Sequence, residues 1–282
     1  MSLSSFILRR MFSLVFMLLA VTILTFFLSR VIPGDPAQMM AGMRASQEQV
    51  DNTRTRLGLD KPLPQQFGIY LGDLLRGDLG KSIMNKRPVA DNLRHFFPAT
   101  VELTFFAFLF AALIGVPLGV LAALFKDSWI DQLSRFVALV GIAFPSFWTG
   151  IVLILIFFFY LDWLPSGRRV EVSTMFGYKP ITNLMLVDSV LTGDWGLLQE
   201  ALKHLILPAV TLGLGPLARF MRFTRAVMLE EINKQYVLTA HSKGLHRRTV
   251  IRRHVLRNAF IPIVTVMGLS LGYMLGGSVL VE

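Results

Sequence analysis

A run of ten cations against two acids, Glu230 and Glu231, lies between Arg219 and Arg257. Arg219, Arg222 and Arg225 recur every three residues and so share one helical face, where guanidinium groups suit lipid phosphates. Beyond them, Gln235–Leu245 and the stretch through Val250, Ile251, Val255 and Leu256 read as two short helices broken at Gly244. Each has an apolar side and a basic side. A glycine at the break admits the left-handed backbone that turns the chain. Such a pair either lies on a lipid surface or plugs into a groove on a partner protein.

The remaining polar residues point to no reaction. Glu102 is the conspicuous acid of an apolar run, and an intramembrane charge suggests function by default. It also lies within a turn of Pro98, where it would stabilise a helix N-terminus. Ser146, Thr149, Thr211 and Ser270 either line a path with Glu102 or bond their own backbone. His241, His246 and His254 are spaced by five and eight among cations, poor spacing for a metal and ordinary for solvated loop histidines. No nucleophile–base pair or metal motif is present, and the spaced glycine loop with Lys-Ser or Lys-Thr that cradles phosphate does not occur. With no cysteine, thiolate chemistry and disulfides are excluded.

The elements that hold these residues are membrane spans. Of 282 residues 54% are hydrophobic and 16% charged, against about 25% charged in soluble domains. Mean hydropathy is +0.58. The net charge of +10 would raise the question of nucleic acid in a soluble protein, but the cations flank long apolar runs, as in membrane proteins. Met11–Leu28, behind Arg9 and Arg10, exceeds a signal-peptide core and lacks a small-residue cleavage site, so it reads as an uncleaved span. Ala99–Phe125, Phe136–Leu161, Ala201–Met221 and Ala259–Val281 are each long enough to cross about 30 Å of hydrocarbon. Pro117, Pro145, Pro208 and Pro262 fall in or near these runs, which membrane helices tolerate.

Loop charge sets the orientation. Residues 162–200 carry three Lys or Arg and five acids, so the cationic loop is placed in the cytoplasm, that segment outside and the N-terminus inside. The segment 33–98, with nine cations, then lies outside, which long loops do regardless of charge. Within it Ser46 caps a helix ending at Gly58, and Gln65–Leu75 forms a second one, ended by Gly77. The pair reads as a small lid on the outer mouth or a docking surface for a substrate-delivering protein. Leu184–Leu191 is too short to span and reads as an interfacial helix.

The residues Tyr236, Thr239-Ala240, Lys243-Gly244-Leu245 and Leu256-Arg257-Asn258-Ala259-Phe260-Ile261-Pro262 resemble the coupling loop of bacterial ABC importer permeases, in the form of the dipeptide and oligopeptide subfamily. The general pattern of those importers has Glu-Ala-Ala, Gly, then Ile-x-Leu-Pro. Here Leu238-Thr239-Ala240 and His254-Val255-Leu256-Arg257 stand in their places, with the proline displaced to Pro262. Ile32-Pro33-Gly34-Asp35-Pro36, Leu57–Leu63, Arg76–Gly80 and Gly276–Glu282 are similar to further stretches of the same family.

The resemblance implies an all-α, polytopic transmembrane helical bundle of the ABC importer type I permease fold, with five of an expected six spans present and the sequence cut short at its C-terminus. Its organisation would be an N-terminal transmembrane helix (1–32), an external, periplasmic loop region (33–98) and a permease core (99–282). That core would contain the external loop 162–200 and the cytoplasmic coupling loop 222–258. The protein would be a multi-pass component of a bacterial inner membrane, a channel-forming transport subunit rather than an enzyme. It would bind no cofactor itself. ATP would be used by two ATP-binding subunits, beside a second homologous permease and an extracytoplasmic peptide-binding protein. Partners would include membrane lipid and no nucleic acid. Tyr236, Thr239, Ala240, Ser242, Lys243, Gly244, Leu245 and Arg247 would couple to the ATPase. Tyr236 and Leu245 are candidate anchors, and Lys243 and Arg247 would meet its acids. Glu102, Ser146, Thr149, Thr211 and Ser270 are candidates for the translocation path. Di- and oligopeptides are the implied substrates, with glutathione, nickel or antimicrobial peptides as same-family alternatives. An ion-coupled secondary transporter would need paired midplane acids or internal repeats, and neither is found in the sequence.

Overall fold

A computed structural model describes residues 3–31, 34–42, 44–175, 178, 180–278 and 281. Ile32 and Pro33 of the Ile-Pro-Gly-Asp-Pro stretch, and Val279, Leu280 and Glu282 of the last one, lie outside the described residues. Among those described, regular structure is helical apart from one antiparallel bridge between Lys81 and Pro88. Four helices are long and apolar enough to span a membrane, or five if one sharply bent pair counts as a single span. The chain is an all-α, polytopic membrane protein.

Residues 1–94 and 95–282 form two compact units. In the first, α1 (Leu3–Val31) presents an almost wholly exposed apolar surface, as expected where lipid replaces a protein core. Its end is fastened within the unit. Phe26 is buried edge-on to Phe67 at 5.3 Å, and Arg30 Nε donates to Gln66 Oε1 at 2.9 Å. Gln66 in turn donates to the carbonyls of Leu59 and Lys61. The loop has helices of its own: α2 (Pro36–Ala41), α3 (Gln47–Arg56) and α4 (Leu63–Leu75). The two helices expected from Ser46 to Gly77 are the last two of these. Ser46 and Gln49 bond each other's backbone N–H reciprocally, at 3.3 and 3.0 Å, in a capping box.

The second unit is organised around α10 (Trp195–Ile232). Packed on it or beside it are α5 (Val89–Leu124), α6 (Trp129–Ala143), α7 (Ser146–Ile154), α8 (Val172–Met175), α9 (Met185–Thr192), α11 (Gln235–Ser242), α12 (Arg247–Val250) and α13 (Leu256–Gly277). A five-residue π-helical turn, Ile251–Val255, joins α12 to α13, so the expected span at 259–281 starts as early as Arg247. The expected straight span at 136–161 is instead α6 and α7 plus a π-helical extension to Tyr160, bent by 103°. Pro145 stands at the break, where it has no N–H for the preceding helix. Pro117, Pro208 and Pro262 sit inside continuous helices.

The contact between α5 and α10 is a ribbon of small residues. Ala107, Ala111, Gly115, Gly119 and Ala123 recur every fourth position and are all buried. A Cβ on Gly115 would lie 2.7 Å from the Leu217 carbonyl oxygen, and one on Gly119 2.5 Å from that of Met221. From the other side, a Cβ on Gly213 would meet the Ala107 carbonyl at 2.8 Å. Lipid supplies no hydrophobic drive for helices to associate, so close backbone approach through small residues is what dispersion attraction requires.

Candidate functional site

Two regions carry the polar chemistry of the second unit, one at each end of α10. At its C-terminal end the basic loop is folded against the bundle. Met228, Val237, Ala240, Val250, Val255, Ala259 and Ile263 form one buried cluster with Ala123. The corner after α10 is tied at Glu231, which accepts from Lys234 Nζ and from the Tyr236 hydroxyl, both at 2.5 Å. Burial, and then the bond to Glu231, push the Tyr236 hydroxyl above its usual pKa. Gly244 closes α11 with a φ of +79°, a left-handed value that the following reversal into α12 requires. His246 Nδ1 then accepts from the Arg248 N–H at 3.3 Å.

This packing divides the eight residues read as a coupling element. Thr239, Ser242, Lys243, Gly244, Leu245 and Arg247 are exposed on the outer side. Ala240 is buried and Tyr236 half-buried, its ring against the cluster. Small size at Ala240 therefore serves the approach of α11 to its own chain, and Tyr236 anchors the helix inward. The exposed apolar residues of the loop are Leu238 and Leu245.

Next to the loop, α10 is pinned to α6. Asp131, with no exposed side-chain surface, accepts from Arg225 Nε and Nη2 at 2.5 and 2.7 Å, a bidentate pair. Arg135 and the Asp127 N–H also donate to it. Arg225 is thus an internal fastener rather than the headgroup ligand expected of it, whereas Arg219 and Arg222 are exposed. Neither Asp131 nor this role of Arg225 was anticipated. The signal available was an acid at the start of an apolar helix, where an unpaired charge would be costly.

At the N-terminal end of α10 lies a cavity of about 590 Å³, lined by α5, α7, α9, α10 and residues 165–169. Of the five expected path residues, Glu102 and Thr211 border it; Ser146, Thr149 and Ser270 do not. Thr211 and Thr149 donate to the carbonyls of Leu207 and Pro145, and Ser270 is buried in α13. Glu102 is buried, pairs with Arg169, and accepts from the Leu186 N–H at 2.7 Å. It fastens loop and α9 to α5.

Two further carboxylates order the loop. Glu200 accepts from the Glu171 N–H and the Thr174 hydroxyl. Asp188, fully buried, accepts from the Tyr178 hydroxyl, from the Thr182 hydroxyl and N–H, and from the Ile181 N–H. Burial alone would raise the Asp188 pKa, but these bonds outweigh it and hold the carboxyl at about 2. With Met185, Leu186, Asp188 and Ser189 buried, α9 is packed into the protein and leaves Val187, Val190 and Leu191 outward. The expected interfacial helix is thus a helix with one face packed against the protein and one apolar face exposed.

Comparison with known proteins follows the same lines. Residues 115–282 match the family of binding-protein-dependent transport system inner membrane components, and residues 3–104 match the N-terminal region of that family. A probable D,D-dipeptide transport system permease of Escherichia coli strain K12 is 44% identical over 97% of this chain and 80% of its own length. A di/tripeptide transport system permease of Pseudomonas aeruginosa is 44% identical over 99% of the chain and 82% of its own. A glutathione transport system permease of Escherichia coli O6:H1 is 36% identical over 99% and 81%.

Proposed function

This chain belongs to the family of binding-protein-dependent transport system inner membrane components, the permease subunits of ABC importers, and from that premise we propose that it forms the path by which di- and oligopeptides are imported. Membership makes it a transport subunit, not an enzyme, and a partner of binding-protein and ATPase components. The chain works with two ATP-binding subunits and a second homologous permease, its N-terminus on the cytoplasmic side of a bacterial inner membrane. The organisation follows as an N-terminal helix to residue 32, an external region to 98 and a permease core beyond it.

The observation that carries the mechanism is the way α11 and α12 are built. One side is welded into the ends of α5, α10 and α13. The other presents Thr239, Ser242, Lys243, Leu245 and Arg247. A push on that outer side reaches the bundle as a rigid body, because the apolar cluster and the Glu231 bonds leave no slack between them. Arg225 and Asp131 carry the displacement on to the bent α6–α7 pair. Closure of ATP-loaded subunits beneath the loop would in this way change access at the other end of α10. Cations at Lys243 and Arg247 suit acids on the ATPase, and small residues at 239 and 242 allow close approach. ATP is used on the partner subunits, with no nucleotide site required here.

Uptake of labelled dipeptide by the complete complex in proteoliposomes tests this reading. ATP-dependent accumulation that requires the binding protein is expected. Uptake driven by a proton gradient without ATP would overturn it in favour of a secondary transporter. Glutathione is the alternative cargo with a specific observation behind it, the 36% identical relative, and serves as competitor in the same assay.

A further inference from the structure

The cavity beside α10 is bordered by a cation that has no ion pair among the described residues. Of the two adjacent arginines that border it, Arg169 is bonded to Glu102 and also reaches the Asn183 carbonyl. Both oxygens of Glu102 are engaged, one by Arg169 and one by the Leu186 N–H. Arg168 is exposed and has no ion pair among the described residues. Its backbone is held at a φ of +33°, in a region that side-chain-bearing residues rarely adopt. Such conformations are enriched at active sites and ligand clamps, although Lys86, Asp127, Asp162 and Asn183 share the positive φ here. The lining thus holds two guanidinium groups against one carboxylate.

A second polar group borders the same space. His204 is buried, and its Nδ1 lies 3.0 Å from the Glu200 carbonyl oxygen. That contact places the proton of the neutral imidazole on Nδ1 and leaves Nε2 as an acceptor. Phe147, Ile151 and Ile154 of α7 give the same cavity an apolar lining. A volume of about 590 Å³ falls within the roughly 300–1,000 Å³ of small-molecule sites. One excess cation, one buried acceptor and an apolar wall fit a short molecule with a carboxylate, N–H donors and a non-polar side chain.

We propose that this cavity is a peptide-reading site within the permease, in which Arg168 receives the terminal carboxylate of a short peptide and His204 Nε2 accepts one of its N–H groups. A planar guanidinium matches a carboxylate in two parallel hydrogen bonds, which a lysine cannot reproduce. The site rests on the peptide-import reading above, and gives the permease its own selectivity after the binding protein has released its cargo.

The test compares dialanine with its C-terminal amide. Binding of each to the complex in nanodiscs, without the binding protein, is followed by saturation-transfer NMR for the unaltered chain, Arg168→Gln and Arg168→Lys. The unaltered chain is expected to favour dialanine by roughly tenfold, the size of a hydrogen bond to a charged group. Arg168→Gln should bring the two within about twofold, with Arg168→Lys between. Maximal uptake of dialanine with saturating binding protein should fall less than apparent affinity. Equal binding of acid and amide by the unaltered chain overturns the site, whether or not the variants fold. A preference that survives Arg168→Gln overturns the role of Arg168. Loss of all peptide uptake by the unaltered complex would instead overturn the functional reading, so the two failures are separable.

Discussion

Replacing Gly119 with alanine adds one carbon that would sit 2.5 Å from the Met221 carbonyl oxygen and 2.7 Å from Cβ of Thr224. Ordinary contact begins at 3.4 Å, so α5 and α10 must part by about 0.9 Å at that point. Neither neighbour is the free end of a flexible side chain. Parting the helices also loosens Gly115 from Leu217 and Gly213 from Ala107, and a gap of that size forfeits roughly a quarter to a half of each contact's attraction. Overpacking of this kind costs about 1–3 kcal/mol, offset by about 1 kcal/mol of helix propensity gained over glycine. The net loss comes to at most about 2 kcal/mol, but relative to an alanine that gains the propensity without the clash the deficit is the full overpacking cost of about 1–3 kcal/mol, at least roughly fivefold in the folded-to-unfolded ratio. Thermal unfolding of the detergent-solubilised chain, followed by size exclusion, reads it out. Gly272→Ala in α13 is the matched control, since nothing lies within 4 Å of its added carbon. Equal stability of the two variants would refute the ribbon as the basis of the α5–α10 contact.

Asp131→Asn leaves Arg225 facing a neutral amide, and should lower stability by about 3 kcal/mol; exchanging the charges, Asp131→Arg with Arg225→Asp, should recover part of the folded yield where either change alone does not. Gly244→Val forces a β-branched residue to a φ of +79°, costing about 1–2 kcal/mol or more. Peptide-stimulated ATP hydrolysis and uptake should be lost while the chain still inserts in membranes, and unimpaired uptake would remove Gly244 from the coupling element. For Asp188 the sign follows from a folded pKa of about 2 against 3.8 unfolded. A depressed carboxyl stabilises fully above about pH 4, and the contribution is lost as pH falls through about 2. Tyr178→Phe removes one donor, so the acid limb of thermal stability should move to higher pH. Superimposable limbs between pH 2 and 5 would contradict the assigned bond.

The spans were legible because apolar length is a one-dimensional property, and so was the capped helix after Ser46, whose bonds are local. Pro145 was visible as a proline in an apolar run, but a bend of 103° depends on what packs against each arm. The periodic cations showed which helix face they share and not what crosses it. Arg225 meets Asp131, 94 residues away, while Arg219 and Arg222 have no ion pair among the described residues. Glu102 was visible as an intramembrane acid, and its partner Arg169, 67 residues on, was not. Thr239 and Ala240 are adjacent and alike in size, yet one faces out and one in. Only the helix phase set by the Glu231–Tyr236 bond and the apolar cluster separates them. The small-residue ribbon could have been found, since Ala107, Ala111, Gly115, Gly119 and Ala123 keep a strict spacing of four.

The coupling face itself can be read directly, because the chain contains no cysteine. Ser242→Cys places a single reactive thiol on the exposed side of α11, and its rate of maleimide labelling in inverted membrane vesicles is measured with and without the ATPase subunits. Labelling is expected without them, and strong protection once they are bound. Equal labelling in both, or labelling only from the opposite side of the membrane, would contradict the assignment of this loop as the point where ATP hydrolysis drives the permease.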